Sequence, residues 1–331
     1  MKGRFVCSAA LAVVAPFVFS GSPAGQAPAA TPGSIPAVKS SKPWTPPKTA
    51  WGDPSLEGRY SNSTIVTMER PAEFAGKAEL TDAEVAERFK KHRAGLFGKR
   101  EGDTGFYNEF WWEWGKDVKR TSLIVDPPDG KLPMKPEATA RLKALRGRYG
   151  HPESYEDFNA FDRCITRSLP GSMTPGFYNH YYEITQTSQY VVVNIELIHD
   201  MRIIPLDKRP HLDSKVRQWL GDSRGHWEGD TLVVESTNFN DKVTDNGATY
   251  FGVGSDLRLV ERFRRSDANT IDYQFTVEAP STFTRPWTAS IPLWKTDQRI
   301  FEYACHEGNY AMKNSLSGAR ADEAKAADGK K

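Results

Sequence analysis

The C-terminal half of the chain alternates apolar and polar residues in the way that is typical of β-strands. In one run, Ile271, Tyr273, Phe275 and Val277 would share one face of a strand. Eight runs of this kind follow Tyr178: YYEITQT, QYVVVNIELI, MRIIPL, DTLVVESTNF, LRLVERFRR, TIDYQFTVEA, WTASIPLW and RIFEYAC. No helical pattern separates them. They therefore predict a mainly β fold, an antiparallel meander that forms a barrel or half-barrel.

One of these runs differs from the others. QYVVVNIELI is apolar on both faces as far as Asn194, which is typical of a central strand that is covered on both sides. We expect the N-terminal half of the chain to supply the second cover.

The N-terminal half has a mixed pattern with two helices. Thr81 as N-cap and Glu84 three residues later form a capping box. Pro136 in the first turn and Gly150 after the last turn bound a second helix. Between them lies the aromatic stretch FYNEFWWEWG, so this half is predicted to be helical and aromatic-rich and to pack on the meander.

Composition divides the chain into five parts. Residues 1–27 combine early basic residues, an apolar run and small residues, as a secretory signal peptide does. A linker rich in Pro and Ala is expected at 28–54, the mixed helical portion at 55–177, the barrel-like portion at 178–315 and a disordered tail at 316–331. No later stretch is apolar enough for an integral membrane segment once the signal is removed. We expect a periplasmic or secreted protein.

Export changes the interpretation of the cysteines. Cys7 lies in the signal peptide, which leaves Cys164 and Cys305. In an oxidising compartment such a pair forms a disulfide more often than a catalytic or metal site. The bond would tie a late strand to an early loop.

Charge and motifs exclude several classes of function. Lys and Arg number 44 against 42 Asp and Glu, so there is no basic footprint for nucleic acid. Nucleotide-binding motifs and the spacings HxH, HExxH and CxxC are absent from the sequence. The sequence therefore predicts neither a metal nor another cofactor, and it leaves the oligomeric state open.

Four strands share a local theme, two β-forming residues and then a glutamate: Glu196, Glu235, Glu261 and Glu302. If two or more face a barrel lumen, they would be carboxyls in an apolar pocket with a raised pKa, as acid-base chemistry requires. The alternative is that each faces solvent.

Other polar residues could join them. His199 lies at a predicted hairpin tip, and Arg202 enters the next strand. Arg285 precedes Pro286 and Trp287 and could present its guanidinium to a carboxylate or a ring. The stretch GDSRGHWEGD is interpreted as a loop that contains His226.

The segment EYACHEGNY also concentrates reactive groups. If it is a strand, Cys305 and His306 point to opposite faces, so they make a poor nucleophile and base pair. Glu302 and His306 would share one face.

The stretches RPHLDSKVRQWLGDSRGHWEGDTLVVESTNF, IDYQFTVEAPSTFTRPWTASIPL and EYACHEGNYAM resemble a family of exported bacterial proteins whose activity is uncharacterised. The resemblance covers much of the chain from WGDPSLEGRY to GARA. It implies one recurring module and no catalytic residue. By analogy of fold alone, the meander is lipocalin-like.

Two hypotheses of function follow, with a third behind them. The first is that the barrel-like cavity binds a small, largely apolar organic molecule, with Arg202, Arg285 and Trp287 among its contacts. The second is a periplasmic lyase, isomerase or hydrolase without a cofactor, in which Glu261 or His306 transfers a proton. His199 would assist, and Arg285 would hold a substrate carboxylate. The third is a structural or interaction protein of the cell envelope.

Overall fold

The computed structural model describes residues 44–97, 109–243 and 253–328. Every described residue belongs to one compact unit. The expected signal peptide and most of the expected linker lie outside the described residues.

The protein is mainly β, as the alternation predicts. The strands are β1 (Gly58–Ser61), β2 (Ile124–Asp126), β3 (Tyr181–Gln186), β4 (Tyr190–Ile195), β5 (Met201–Pro205), β6 (Asp222–Glu228), β7 (Thr231–Thr237), β8 (Arg258–Asp267), β9 (Thr270–Glu278) and β10 (Trp287–Lys295). The α-helices of the described residues are α1 (Asp82–Phe97), α2 (Pro136–Gly150) and α3 (Ala311–Asp328).

Nine strands form one antiparallel sheet in the order β5-β4-β3-β1-β10-β9-β8-β7-β6, and β2 adds to β10. The sheet is nearly closed into a barrel. No hydrogen-bonded ladder joins the described residues of β5 to those of β6, although the two edges meet. A Cβ on Gly225 of β6 would lie 2.8 Å from side-chain atoms of both Ile204 and Leu206. Because Gly225 has no side chain, β6 can pack against the side chains of Ile204 and Leu206 without backbone hydrogen bonds between β5 and β6.

The inner face of the sheet is filled by side chains. Tyr60, Tyr182, Tyr273 and Phe275 are fully buried, and Phe263 is 1% exposed. Along β9 the burial alternates as the sequence predicts. The middle of the barrel is therefore a packed core, in contrast to the open lumen of a ligand-carrying barrel.

Both predicted helices of the N-terminal half are present. The Thr81 hydroxyl accepts the Glu84 amide at 3.3 Å, and the Glu84 carboxylate accepts the Thr81 amide at 2.9 Å, which completes the capping box. Pro136 starts α2, where its lack of an amide hydrogen costs nothing.

Three predictions about individual segments were wrong. RIFEYAC is not a strand, so the alternation of side chains in a strand does not place Cys305 and His306 on opposite faces. The predicted loop GDSRGHWEGD contains strand β6, which pairs with β7 over its whole length. Residues expected in a disordered tail belong to helix α3.

The run QYVVVNIELI also differs from its prediction. Strand β4 ends at Ile195 and lies second from the edge of the sheet, next to β5. Leu197 and Ile198 are buried because the chain turns into a short 3₁₀ helix, Leu197–His199, and not because a second layer covers a central strand.

The predicted disulfide is confirmed. Cys164 and Cys305 are bonded, with their Cα atoms 5.7 Å apart, and they are separated by 141 positions in the sequence. Within the described ranges, no helix combines the length and the apolar composition that a membrane crossing requires.

Candidate functional site

Two of the predicted site residues meet inside the barrel. Arg202 of β5 donates two hydrogen bonds to Glu261 of β8, at 2.9 and 2.5 Å, and the Tyr273 hydroxyl donates to the same carboxylate at 2.8 Å. Arg202 is 3% exposed and Glu261 is fully buried. The carboxylate is saturated with donors and shielded from solvent. This geometry suits a structural ion pair that connects two walls of the barrel better than it suits contact with a ligand.

A second group of acidic residues lies at the rim of the barrel, where β3 begins and β4 ends. We call Glu113, Asn179, Tyr181 and Glu196 the rim cluster. The Glu113 carboxylate accepts the backbone amides of Asn179 at 2.6 Å and of His180 at 3.1 Å. The half-buried side chain is thereby fixed at the entrance to β3.

Asn179 holds the two carboxyl groups of the rim cluster together. Its backbone amide donates to Glu113, and its side-chain amide donates to Glu196 at 2.5 Å. The residue has a φ of 55°, in the left-handed region that asparagine tolerates better than most residues. Glu196 is 2% exposed, and its second oxygen, Oε2, has no hydrogen bond of acceptable geometry to any described residue. The site thus contains one buried carboxylate oxygen whose hydrogen-bonding capacity the described residues leave unfilled.

Burial changes the acid-base properties of both carboxyl groups. Desolvation, with a smaller contribution from the charge of Glu196, raises the pKa of Glu113. The two backbone hydrogen bonds lower it, and the net pKa is about 7. Desolvation also raises the pKa of Glu196, while the hydrogen bond from Asn179 and the nearby Phe301 amide lower it. The pKa of Tyr181 is raised by burial and by the two carboxylates. Near neutral pH, Glu113 can therefore both donate and accept a proton.

Gly115 brings Glu113 to the rim. Its φ is 58°, and a Cβ at this position would lie 1.8 Å from the carbonyl oxygen of Ser63. The Lys116 amide donates to that same oxygen at 3.2 Å, and the Ser63 hydroxyl donates to Glu113 at 3.3 Å. Only glycine permits this approach, so a backbone constraint positions the carboxyl group.

Aromatic rings line one side of the rim. Trp112 stacks on Phe177 with ring centroids 4.8 Å apart, and Phe177 meets Tyr178 edge to face at 4.6 Å. All three rings are half-buried. Trp114 packs on Phe89 of α1 at 5.0 Å, beside a groove of about 520 Å³. Trp112 and Glu113 are adjacent in sequence, and Trp112 belongs to the aromatic wall while Glu113 belongs to the rim cluster.

Behind the rim cluster, a buried polar layer closes the end of the barrel. His180 is 3% exposed, and burial lowers the pKa of its imidazole well below the usual value, with a further lowering by the Arg167 charge. Asp200 accepts the hydroxyls of Thr166 at 2.8 Å and Ser172 at 2.9 Å. His180 Nδ1 has no hydrogen-bond partner among the described residues.

Backbone strain concentrates around this end of the barrel. Most of the described non-glycine residues with positive φ lie here: Cys164, Ser168, Asn179, Ile198 and His199. A positive φ is unusual for a β-branched residue such as Ile198. Such strain persists only where the surroundings enforce it, and it clusters at functional sites.

Of the four glutamates of the shared theme, only Glu196 lies at the rim. Glu235 is on the outer face, where it pairs with Arg258 and lies 3.3 Å from His211. Glu302 is exposed, and Glu261 lies inside the barrel. The shared local sequence therefore did not place these side chains in one site.

The remaining candidates are dispersed. His199 is exposed, and its Nδ1 lies 3.0 Å from the carbonyl oxygen of Tyr303. Arg285 forms an exposed ion pair with Asp126 at 2.5 Å. Trp287 is fully buried beside Phe275 and Phe283.

His226 is not a loop residue, because it lies in β6, exposed beside Glu228. His306 lies at a separate groove, between the segment that contains Cys164 and the beginning of α3.

Sequence reasoning did not identify Glu113, Asn179 or Tyr181. One signal was available, because Glu113 is flanked by Trp112 and Trp114, and an acidic residue inside an aromatic run is a candidate for burial. Its partners are 66 and 67 positions away in the sequence, and no local pattern predicts that contact.

No protein-family model matches the chain, and no curated protein matches it. Within the described ranges, no three His, Cys, Asp or Glu side chains are grouped so that they could hold a metal ion. A barrel-like fold of this kind is consistent with a binding protein. Any more specific function depends on the geometry of the rim.

Proposed function

We propose that the protein binds a small, largely apolar organic molecule at the rim of the barrel. The observation that carries this proposal is the pair of carboxyl groups, Glu113 and Glu196, held on either side of Asn179 next to the aromatic wall of Trp112, Phe177 and Tyr178. Apolar rings with a few convergent polar groups are the usual composition of a small-molecule site.

The rim is a better location than the lumen. The inner side chains are in mutual contact, and Glu261 already has three donors. The rim cluster instead leaves the buried Glu196 Oε2 without a donor among the described residues, beside half-buried rings that a ligand can reach. The site of the expected ligand therefore moves from the middle of the barrel to its end.

The charges at the rim favour a neutral ligand with a hydroxyl or amide donor. Two neighbouring carboxyl groups with raised pKa values disfavour an anion, and a donor from the ligand would satisfy Glu196. A phenol or naphthol presents a flat apolar body and one such donor.

Quenching of tryptophan fluorescence by 2-naphthol tests the proposal. We expect saturable quenching, and we expect Glu113→Gln and Glu196→Gln to weaken binding roughly tenfold each, the effect of about 1.4 kcal/mol. Glu302→Gln, which changes an exposed carboxylate, is the matched control and should bind normally. Equal affinity in all four proteins, or no saturation in the wild type, would refute the proposal.

A second function, proton transfer without a cofactor, is favoured by one specific observation. The pKa of Glu113 is about 7, so both protonation states are populated at neutral pH. Glu196 could serve as the complementary group, and the reaction would belong to the lyases, isomerases or hydrolases. His306, His199 and Arg285 lie apart from this pair and have no role in the proposed step.

Exchange of solvent deuterium into aryl ketones, followed by NMR, tests the catalytic proposal. Enzymatic exchange should exceed that of Glu113→Gln at least 100-fold, the lower range for a positioned base, and its rate should change with an inflection near pH 7. Rates equal to those of the variant for every ketone would exclude this type of catalysis.

We also infer that the protein is exported to the periplasm or secreted. The Cys164–Cys305 disulfide supports an oxidising compartment, and residues 1–27 have the composition of a signal peptide. Fusion of residues 1–27 to a phosphatase that is active only outside the cytoplasm would test this. An inactive fusion with a normal expression level would contradict export.

A further inference from the structure

A separate groove lies between the segment that contains Cys164 and the beginning of α3. It is lined by Tyr155, Arg163, Ile165, His306, Asn309 and Met312. Its volume is about 370 Å³, within the range of small-molecule sites. None of its lining residues belongs to the rim cluster.

The disulfide joins the two walls of this groove. Arg163 and Ile165 flank Cys164, and His306 follows Cys305, so the covalent bond fixes the separation of the side chains that line it. The Asn309 side chain adds two contacts across the same boundary, to Cys164 Sγ at 3.1 Å and to the Asp162 carbonyl oxygen at 3.3 Å. The groove is therefore organised before any ligand arrives, which reduces the entropy lost on binding.

The lining combines an apolar surface with cationic and hydrogen-bonding groups. The Arg163 guanidinium lies 5.1 Å from the centroid of the Tyr155 ring, a cation–π contact. The imidazole of His306 is exposed on the opposite wall. Ile165 and Met312 supply the apolar part. Asp162 and Glu307 adjoin the groove in sequence, but the described residues that line it include no acidic side chain.

We propose that this groove binds a small organic carboxylate with an apolar or aromatic body. A planar guanidinium can donate two parallel hydrogen bonds to a carboxylate, and a nearby imidazole can donate a third. Ile165 and Met312 would contact the body of the ligand. The site is independent of the rim cluster, where the two carboxyl groups disfavour an anion.

Fluorine NMR with 4-fluorobenzoate tests the proposal on the full chain. We expect saturable shifts with 4-fluorobenzoate and at least about tenfold weaker binding of the neutral 4-fluorobenzamide, the difference a charge-assisted pair provides. Arg163→Gln should weaken benzoate binding roughly tenfold. Lys313→Gln removes the same charge from an exposed position next to the groove and should have little effect.

Two further variants keep the test decisive. His306→Gln changes an exposed side chain outside the helices and strands, so it reports on binding even if Arg163→Gln folds poorly. We expect it to weaken benzoate binding, whereas Glu113→Gln at the rim should leave that binding unchanged. Equal binding of benzoate and benzamide, or normal benzoate binding by both Arg163→Gln and His306→Gln, would overturn the proposal. Failure of naphthol to bind at the rim would not affect it.

Discussion

At the scale of single residues, Glu113 gives the fold a pH dependence of a definite sign. Its pKa is raised from an ordinary value of 4.5 to about 7, so the folded protein holds this proton more tightly than the unfolded chain does. The resulting stabilisation is complete below about pH 4.5 and is lost as the pH rises through 7. Its size is at most about 3.5 kcal/mol, since the pKa rises by about 2.5 units and one pKa unit corresponds to about 1.4 kcal/mol.

Urea denaturation of the wild type and of Glu113→Gln at pH 5 and pH 8 measures this contribution. The wild type should lose more stability than the variant between the two pH values, because glutamine does not titrate. Groups that do not interact with Glu113 titrate equally in both proteins, so the difference between the two reports on Glu113 and on its coupling to Glu196. Parallel losses would show that Glu113 titrates normally in the folded state.

Gly115 supports a second prediction at this scale. A Cβ at this position would lie 1.8 Å from the Ser63 carbonyl oxygen, so Gly115→Ala must displace the segment that carries Glu113. We expect a loss of stability of more than about 1 kcal/mol and a weaker pH dependence, because displacing the segment would expose Glu113 and remove the desolvation that raises its pKa. Both are measured by the same denaturation series.

Gly147 provides the matched control. It lies inside α2, and apart from its chain neighbours and the backbone of its own helix, no described atom lies within 4 Å of the Cβ that an alanine would add. Gly147→Ala should therefore be neutral or stabilise the protein by up to about 1 kcal/mol. If both substitutions have the same effect, the close approach at Gly115 is not what positions the rim.

At the scale of the elements, the Arg202–Glu261 pair connects β5, an edge strand, to β8 on another wall of the barrel. Arg202→Met would leave Glu261 buried without its counter-charge, and we expect a loss of about 3 to 5 kcal/mol. The double variant Arg202→Met/Glu261→Leu should recover most of it. Arg285→Met, which breaks the exposed pair with Asp126, should cost less than about 1 kcal/mol. A double variant as unstable as the single one would contradict this account.

The elements also show how far the sequence predicts the fold. The alternation in β9 and the capping box at Thr81 are local signals, and both predictions were correct. Strand β1 has only four residues and exists because it pairs with β3 and β10, so no local pattern predicts it. Strand β6 has a polar sequence with a central glycine, Gly225, that the closure of the barrel requires.

The candidate site was less predictable than the fold for the same reason. Glu196 was identified as one of four glutamates that follow two β-forming residues in a predicted strand. Glu113 depends on contacts with residues far away in the sequence, and its environment arises only when the barrel forms. The expectation of carboxyls in the lumen did not account for Arg202 and Tyr273, which supply the donors for Glu261.

At the scale of the whole molecule, the disulfide connects two segments that the sheet does not join: the segment before β3 that contains Cys164 and the segment after β10 that contains Cys305. The segment 296–310 follows the last strand, and Cys305 ties it to the loop that closes the barrel. His199 and Glu196 lie beneath this segment, next to Tyr303 and Phe301 respectively. The bond therefore links the C-terminal segment to the rim cluster and to the groove at once.

Removing the disulfide should loosen this end of the molecule while the barrel remains folded. The bond closes a loop of 141 residues, for which loop-entropy models give a stabilisation of about 4 to 5 kcal/mol, so we expect Cys164→Ser/Cys305→Ser to lose up to that amount. Hydrogen exchange should accelerate in residues 301–310 and much less in β8 and β9, because the barrel core packs independently of the bond. A reductant should destabilise the wild type and leave the variant unchanged. Equal stability of the two proteins without reductant would mean that the sheet alone holds the C-terminal segment against the rim.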